Sequence, residues 1–156
     1  MHIKKVWTVF VDGASRGNPG DAGAGIHVEE DGIAVLKKGF YLGKKTNNQA
    51  EYLALALALY TISEHHDGKS PLPSLHIFSD SELLVRQIKN IYKVRNPELI
   101  HLKAVVNNLL SSFYYNIRHI DRALNSKADA LANKGIDTKT KVPARFLTLL
   151  HQQTEE

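Results

Sequence analysis

Apolar residues occur along this chain in runs bounded by glycine, proline and polar residues, and several of these runs predict strands. Val6 to Val11 is β-branched and aromatic throughout, which is typical of a central strand buried on both faces. Ala22 to Glu30 and Ile33 to Tyr41 are separated by Asp31 and Gly32, a pair favoured in two-residue hairpin loops. These three runs predict an antiparallel meander. Two later strands are predicted over Leu75 to Ser79 and Tyr114 to Ile120.

Other segments carry the residue types and the boundaries of helices. Residues 49–63 alternate Leu and Ala, but both are strong helix formers and the run is longer than an ordinary strand. Glu51 is expected in the first turn of this helix. Further helices are predicted over Glu82 to Asn90, Pro97 to Ser112 and residues 126–135. The expected N-caps are Asn48 for the first helix, either Ser79 or Asp80 for the helix from Glu82, and Asn125 for the last helix. Gly135 is expected to end the last helix.

The resulting element order is three strands, a helix, a strand, two helices, a strand and a helix. Because Gly13, Gly17 and Gly20 follow Asp12, the first strand is predicted to end at Asp12 in a glycine-rich turn. The domain is expected to occupy residues 1–136, and residues 137–156 form a C-terminal tail of the same single domain. The apolar residues from Phe146 to Leu150 should pack on the domain, as either a short helix or an added strand.

Composition narrows the class of protein. The 156 residues are 43% hydrophobic, which suits one globular domain. No apolar run is long enough to span a bilayer and the first residues lack the apolar core of a signal peptide, so we expect a cytoplasmic protein without membrane contact. The absence of cysteine excludes disulfides, thiolate zinc sites and a cysteine nucleophile. A net charge of +4 permits nucleic-acid binding without requiring it.

Four carboxylates lie at the ends of predicted elements: Asp12, Glu51, Asp80 and Asp129. Each has an ordinary structural explanation by itself, as a turn or helix cap or as a favourable charge near a helix N-terminus. Brought together, however, carboxylates repel one another and their charged forms are costly to bury. Binding of a divalent metal ion is the one good chemical reason for such a cluster. Mg²⁺ prefers carboxylate and water oxygens as ligands.

Four sequence blocks surround these carboxylates: DGASRGNPG, TNNQAEY, SDSELLV and NSKADALANKG. Together, in order and in spacing, they resemble the motif blocks of type 1 ribonuclease H from Phe10 to Gly135. The resemblance implies a ribonuclease H-like α/β fold, in which a mixed five-stranded sheet of order 3-2-1-4-5 is flanked by helices. It also implies endonucleolytic cleavage of the RNA strand of an RNA/DNA hybrid. A pair of Mg²⁺ ions, replaceable by Mn²⁺, would be held by Asp12, Glu51, Asp80 and Asp129.

The same resemblance assigns residues that contact the hybrid. Asn18, Asn47, Asn48 and Gln49 match minor-groove contacts, and Thr46 matches a residue that binds a phosphate of the DNA strand. Amides both donate and accept hydrogen bonds, and the 2′-hydroxyl is what distinguishes RNA from DNA. Polar residues that only cap a helix would look the same in the sequence.

Further substrate contacts are expected on the backbone and on a short basic segment. Gly13 lets backbone amides come close to a ligand. Some family members carry a long basic insertion after the second helix, whereas here Lys89, Lys93 and Arg95 occupy that region. Affinity for the hybrid should therefore be modest and salt-sensitive. No obligate protein partner is evident.

The loop before Asp129 reads HIDRALNSKAD and resembles the branch with an H-V-P-R-x-x-N pattern. The catalytic-loop histidine of the family then corresponds either to His119, expected within the last strand, or to Arg122. An imidazole exchanges protons near neutral pH, whereas a guanidinium stays charged and only stabilises phosphate charge or helps to expel product. We favour Arg122, and a buried structural histidine is the ordinary alternative for His119.

An active ribonuclease that cleaves hybrids is the first hypothesis. The alternative is an inactive or tethered hybrid-binding module on the same fold, although the presence of all four carboxylates argues against lost activity. A third class is a related metal-dependent nuclease that acts on DNA, but the TNNQAE block does not obviously belong to it.

Overall fold

A computed structural model describes residues 5–66, 68 and 70–152, which form a five-stranded sheet flanked by helices. The antiparallel meander consists of β1 (Val6–Gly17), β2 (Gly20–Glu30) and β3 (Ile33–Lys45). β4 (Ser74–Ser79) pairs parallel with β1, and β5 (Tyr115–His119) pairs parallel with β4. The strand order is β3-β2-β1-β4-β5, which confirms the mixed α/β sheet that the resemblance implied.

The helices found among the described residues are α1 (Asn47–His65), α2 (Glu82–Ile88), α3 (Pro97–Leu110), α4 (Ser126–Thr138) and α5 (Ala144–Gln152), with a 3₁₀ helix over Arg122–Asn125. α1 is buried almost all round, as its Leu and Ala content predicts. It packs on β1 and β2 and against α3, and it shares one hydrophobic core with Val9, Val11 and Ile26. None of the described helices combines the length and the apolarity that crossing a membrane requires.

α4 lies on the opposite face of the sheet, at a distance that glycine permits. A Cβ at Gly25 would lie 1.9 Å from the carbonyl oxygen of Ala128, and one at Gly39 would lie 2.2 Å from the α4 backbone. Gly25 is the register partner of Asp12 on β1, so the two residues share one face. The backbone of α4 therefore runs close to Asp12, which places Asp129 next to that strand.

Some strand boundaries differ from the prediction. β1 does not end at Asp12, because β2 continues to pair with it as far as Gly17 and Gly20. The glycine-rich segment is thus mostly strand, and the turn lies between these two glycines. β3 reaches Lys45, whereas the predicted strand ended at Tyr41. In each case the neighbouring strand supplies hydrogen bonds that residue type alone does not reveal.

Helix ends also differ from the prediction. Two N-caps lie one or two residues away from the expected positions: Thr46 in place of Asn48, and Ser81 in place of Ser79 or Asp80. α2 is shorter than predicted and ends at Ile88. Gly135 does not close α4, which continues to Thr138; a Cβ at Gly135 would lie 2.5 Å from the backbone nitrogen of Phe40, so this glycine serves packing.

The C-terminal tail forms a helix, one of the two conformations that the sequence left open. Phe146 of α5 is 1% exposed and lies against Tyr60 of α1, with 5.6 Å between the ring centroids. His101 Nε2 on α3 lies 3.0 Å from the carbonyl oxygen of Leu150. α4 crosses the boundary expected at residue 136, and residues 153–156 of the tail lie outside the described residues.

Candidate active site

Asp12 and Asp80 stand side by side where two parallel strands stop pairing. β1 and β4 pair in register as far as Val11 and Ser79. The next residue of each segment is therefore an aspartate at the same end of the β1–β4 pair. Asp12 is 5% exposed, although it belongs to a strand that continues beyond it.

Glu51 reaches this position from α1. Because the helix begins at Asn47, Glu51 lies in its second turn rather than in the first turn as expected. Its buried carboxylate accepts a hydrogen bond from the backbone N–H of Gly13, the residue after Asp12. A Cβ at Gly13 would lie 2.2 Å from the carbonyl carbon of Ala50. Glycine at this position is what allows α1 to lie directly against β1.

One carboxylate oxygen each from Asp12, Glu51 and Asp80 lies within 4.8 Å of the other two. Burial raises the pKa of Asp12 to about 9, and Glu51, Asp80 and Asp129 contribute in the same direction. Burial also raises the pKa of Glu51 to about 8, helped by Asp80, while the N–H of Gly13 and the charge of Arg122 act in the opposite direction. Without a cation, the three groups cannot all be ionised at neutral pH.

This donor set fits a hard divalent cation. The three ligand atoms of the cluster are all carboxylate oxygens, and they come from three separate segments of the described chain. Mg²⁺ prefers such ligands and usually keeps part of its hydration shell. A dication would favour the ionised carboxylates and so oppose the burial and repulsion that raise the two pKa values.

Asp129 stands at the edge of the cluster rather than within it. Among the described residues, the group of ligand atoms that lie within 4.8 Å of one another contains the other three carboxylates and not Asp129. Asp129 nevertheless raises the pKa of Asp12, through a side-chain hydrogen bond and through its charge. Its backbone carbonyl oxygen and Oδ1 accept from Nδ2 of Asn133 at 3.1 and 3.4 Å.

Arg122 belongs to the 3₁₀ helix and His119 to β5. Arg122 is exposed in the 3₁₀ helix, and its charge is close enough to lower the pKa of Glu51. His119 is the last residue of β5, in register with Ser79. It lies in the strand, as predicted, but it is exposed, so the alternative of a buried structural histidine is wrong.

Residues predicted to contact the minor groove gather at the β1–β2 hairpin and at the start of α1. The backbone N–H of Asn47 donates to Oδ1 of Asn18 at 3.0 Å, which ties the hairpin to the helix. The side chains of Asn47 and Asn48 are exposed, and Asn48 lines a shallow cleft with Glu51 and the start of α2.

Gln49 differs from its neighbours because both ends of its amide have partners within the protein. Its Oε1 accepts from the backbone N–H of Thr46, whose hydroxyl accepts from the N–H of Gln49 in return. This arrangement is a capping box. Nε2 of Gln49 donates to the carboxylate of Glu98 on α3. Gln49 therefore orders the helix start, and its contact with a hybrid remains a prediction.

The basic residues Lys89, Lys93 and Arg95 are exposed at the end of α2 and in the segment that follows it. Their side chains lie on the same connection as Tyr92, whose ring lies 5.1 Å from the guanidinium carbon of Arg86. Their contact with a phosphate backbone also remains a prediction.

The sequence did not reveal the role of two buried amides. Asn125 was predicted as a cap, but its side chain makes no capping hydrogen bond and donates instead to Val11 and Asp80. Gln87 of α2 accepts a hydrogen bond from the Tyr52 hydroxyl at 2.7 Å, which joins α2 to α1 behind Glu51. Asn125 stands before a helix, where a polar residue suggests a cap, and only its burial reveals the different role.

Known proteins resemble the chain over the same residues. A family model described as "Reverse transcriptase-like" matches residues 10–135. Ribonuclease HI of Halobacterium salinarum is 38% identical over 130 residues, which cover 82% of this chain and 63% of that protein. LC11-RNase H1, solved in complex with an RNA/DNA hybrid, has a TM-score of 0.79 and 34% identity, covering 85% of this chain and 97% of its own. The chain belongs to the type 1 ribonuclease H family.

The family match contains the four carboxylates and every element from β2 to β5, whereas α5 lies outside it. The bifunctional protein Rv2228c of Mycobacterium tuberculosis is also similar, at 33% identity over 139 residues. These residues cover 87% of this chain but 37% of that protein. The chain thus spans less than two thirds of the length of either curated relative.

Proposed function

We propose that this chain is a metal-dependent ribonuclease H that cuts the RNA strand of RNA/DNA hybrids endonucleolytically. The observation that carries the proposal is the convergence of Asp12, Glu51 and Asp80, whose ligand atoms lie within 4.8 Å of one another. Membership of the ribonuclease H family supports it, as does the relative that was solved with a hybrid bound.

Asp12, Glu51, Asp80 and Asp129 would hold two Mg²⁺ ions, which Mn²⁺ could replace, for hydrolysis by a two-metal-ion mechanism. Bound Mg²⁺ supplies charge stabilisation at the phosphate and lowers the pKa of a water molecule. The chain provides the ionised carboxylates and fixes their positions. The N–H of Gly13 favours the charged form of Glu51, as does the guanidinium of Arg122.

Hybrid recognition would use the surface around the start of α1. Asn18, Asn47 and Asn48 can read minor-groove acceptors and the 2′-hydroxyl, with Gly13 and Gln49 alongside them. Thr46, Lys89, Lys93 and Arg95 would contact phosphates, and so few cations predict a modest, salt-sensitive affinity. The expected cytoplasmic location and the absence of an obligate protein partner also stay predictions.

A second candidate is an inactive or tethered hybrid-binding module. This candidate is kept because of Rv2228c, which is named as a bifunctional protein. The region of Rv2228c that is similar to this chain makes up 37% of its length. The buried carboxylate cluster favours the enzyme, since binding alone does not require three mutually repelling acids.

A panel of labelled duplexes tests the proposal. The protein is incubated with RNA/DNA, RNA/RNA and DNA/DNA duplexes of one sequence, with Mg²⁺ or with EDTA. We expect internal cuts in the RNA strand of the hybrid, with Mg²⁺ only. Binding without cleavage would favour the module, and cleavage of duplex DNA would favour the DNA nuclease.

A further inference from the structure

Asn125 lies beside the carboxylates and its side chain does not act as the sequence predicted. It occupies the N-cap position of α4 without a capping hydrogen bond, and it is 1% exposed. Its Nδ2 donates to the carbonyl oxygen of Val11 at 2.9 Å and to Oδ2 of Asp80 at 3.3 Å. Within residues 5–66, 68 and 70–152, its Oδ1 has no hydrogen-bond partner. Among the described residues, the Asn125 side chain therefore makes hydrogen bonds through Nδ2 and not through Oδ1.

The chemistry of the two neighbours fixes the orientation of the amide. A backbone carbonyl and an ionised carboxylate both accept hydrogen bonds and cannot donate them. Turning the amide over would place Oδ1 against two acceptor oxygens, so only Nδ2 can face Val11 and Asp80. Its two hydrogens serve one acceptor each. A side chain with one donor could satisfy only one of them, and an aspartate would add a further charge to the cluster.

These contacts join three parts of the site. Val11 directly precedes Asp12, and its backbone belongs to the last pair between β1 and β4. Asp80 directly follows β4. Asn125 itself directly precedes α4, which carries Asp129 in its first turn. One buried amide thus connects the segments that carry three of the four carboxylates.

We propose that Asn125 is a positioning residue, which holds the Asp80 carboxylate and the start of α4 in the arrangement that binds the divalent cation. The inference rests on the proposed function, in which the four carboxylates are metal ligands. With Oδ2 held by Nδ2 of Asn125, rotation of the Asp80 carboxylate about its own axis is restricted. Partners of this kind, which orient a ligand without touching the metal, commonly determine metal affinity.

The test is a titration of the full chain with Mg²⁺, in which the melting temperature reports binding. Asn125→Ala should weaken the apparent Mg²⁺ affinity by about tenfold or more. The cleavage rate on a labelled hybrid should fall at low Mg²⁺ and recover substantially as Mg²⁺ is raised. If Asn125→Ala does not fold, Asn125→Ser replaces it, because one hydroxyl donor cannot serve both acceptors; the same weakened affinity is expected.

Asn96→Ala is the matched control. Oδ1 of Asn96 caps α3 by accepting from the backbone N–H groups of Glu98 and Leu99, so its loss destabilises a helix without touching the carboxylates. It should lower the melting temperature and leave the Mg²⁺ affinity unchanged. If the Mg²⁺ affinity of the Asn125 variant stays within about twofold of the native value, the inference is overturned and the proposed function is not affected. A native protein that Mg²⁺ does not stabilise would contradict the proposed function and overturn the inference with it.

Discussion

Asp12 makes the stability of the metal-free protein depend on pH. Its pKa is about 9 in the folded state, chiefly because it is buried, and near 4 in an unfolded chain. Between these values the folded state binds more protons than the unfolded state. Raising the pH therefore favours unfolding, and the stability linked to this proton is lost as pH rises towards 9.

Replacing Asp12 by asparagine should remove the part of this dependence that comes from Asp12, while Glu51, whose pKa burial also raises, keeps its own part. In EDTA, Asp12→Asn should melt at a higher temperature than the native protein, and the difference should grow from about pH 5 to about pH 9. Asp21→Asn is the control, because the Tyr41 hydroxyl and Lys139 lower the pKa of Asp21. Its replacement should destabilise the protein at neutral pH and have less effect in acid. A constant difference between Asp12→Asn and the native protein across this range would contradict the raised pKa.

Arg122 is the residue we expect to assist turnover beside the carboxylates. Its charge acts on Glu51 and its side chain is exposed, so Arg122→Ala should change the chemistry without changing the fold. Turnover should fall by at least about tenfold, which corresponds to about 1.4 kcal/mol of barrier. Multiple-turnover cleavage of a hybrid measures the turnover, and a melting curve measures the stability of the fold.

His119→Ala is the matched comparison. The exposed position of His119 at the end of β5 predicts a small loss of stability, and we expect a smaller loss of turnover than for Arg122→Ala. The opposite pattern would reverse the assignment. In that case Arg122→Ala stays active, whereas His119→Ala is inactive and its cleavage rate no longer changes with pH near neutrality. His119 would then be the proton carrier.

Among the secondary-structure elements, the approach of α4 to β2 determines where Asp129 lies. Gly25→Ala would place a methyl group where the α4 backbone now lies, so the helix must move away from Asp12. We expect a stability loss of about 1–3 kcal/mol, together with reduced cleavage and weaker Mg²⁺ stabilisation. Denaturant unfolding and hybrid cleavage measure the two effects.

Gly32→Ala provides a control with a similar loss of stability. Gly32 has a φ of 79° in the β2–β3 turn, and nothing lies within 4 Å of a Cβ built there. Alanine at this position strains the backbone by roughly 1–2 kcal/mol without moving α4. This variant should cleave normally. Native cleavage by Gly25→Ala would show that the position of α4 does not matter for the reaction.

α5 should stabilise the domain through one side chain above all. Phe146→Ala removes a ring that is 1% exposed and packs against Tyr60, so it should cost about 3–5 kcal/mol. Leu147, the next residue on the same helix, is 46% exposed, and Leu147→Ala should cost far less. Equal denaturant midpoints for the two variants would mean that α5 does not dock as described.

Local chemistry predicted the elements better than their ends. The pair Asp31 and Gly32 was placed correctly in a hairpin turn, and both residues adopt positive φ, which this turn requires. The extension of β1 beyond Asp12 could not be predicted, because the glycines and Pro19 indicate a turn and only the pairing with β2 shows a strand. Hydroxyl caps such as Thr46 lie within two residues of the positions expected, where several polar residues compete for the same role.

In the candidate site, some residues could be found from the sequence and others only from the packing of separate segments. Carboxylates at element ends could be found from the chain alone, since their residue type and position suffice. The hydrogen bond from Gly13 to Glu51 and the burial of Asn125 could not, because each arises from packing between separate segments. The exposure of His119 likewise follows from its place at the end of β5.

At the scale of the whole molecule, a small acidic cluster lies within a protein whose net charge is +4. A central sheet supplies Asp12 and Asp80, one helix on each face supplies Glu51 and Asp129, and close glycine contacts set the distances. The exposed basic residues Lys89, Lys93 and Arg95 follow α2 in the chain.

The most direct measurement compares native protein and Glu51→Gln on a hybrid with 5′-labelled RNA. Glutamine keeps the shape of Glu51 and an oxygen for the N–H of Gly13, but it removes the charge that a metal ion requires. With Mg²⁺ the native protein should cut the RNA internally, whereas the variant should bind the hybrid with similar affinity and leave it intact. Cleavage by the variant at the native rate, or cleavage by the native protein in EDTA, would contradict a metal-dependent carboxylate site.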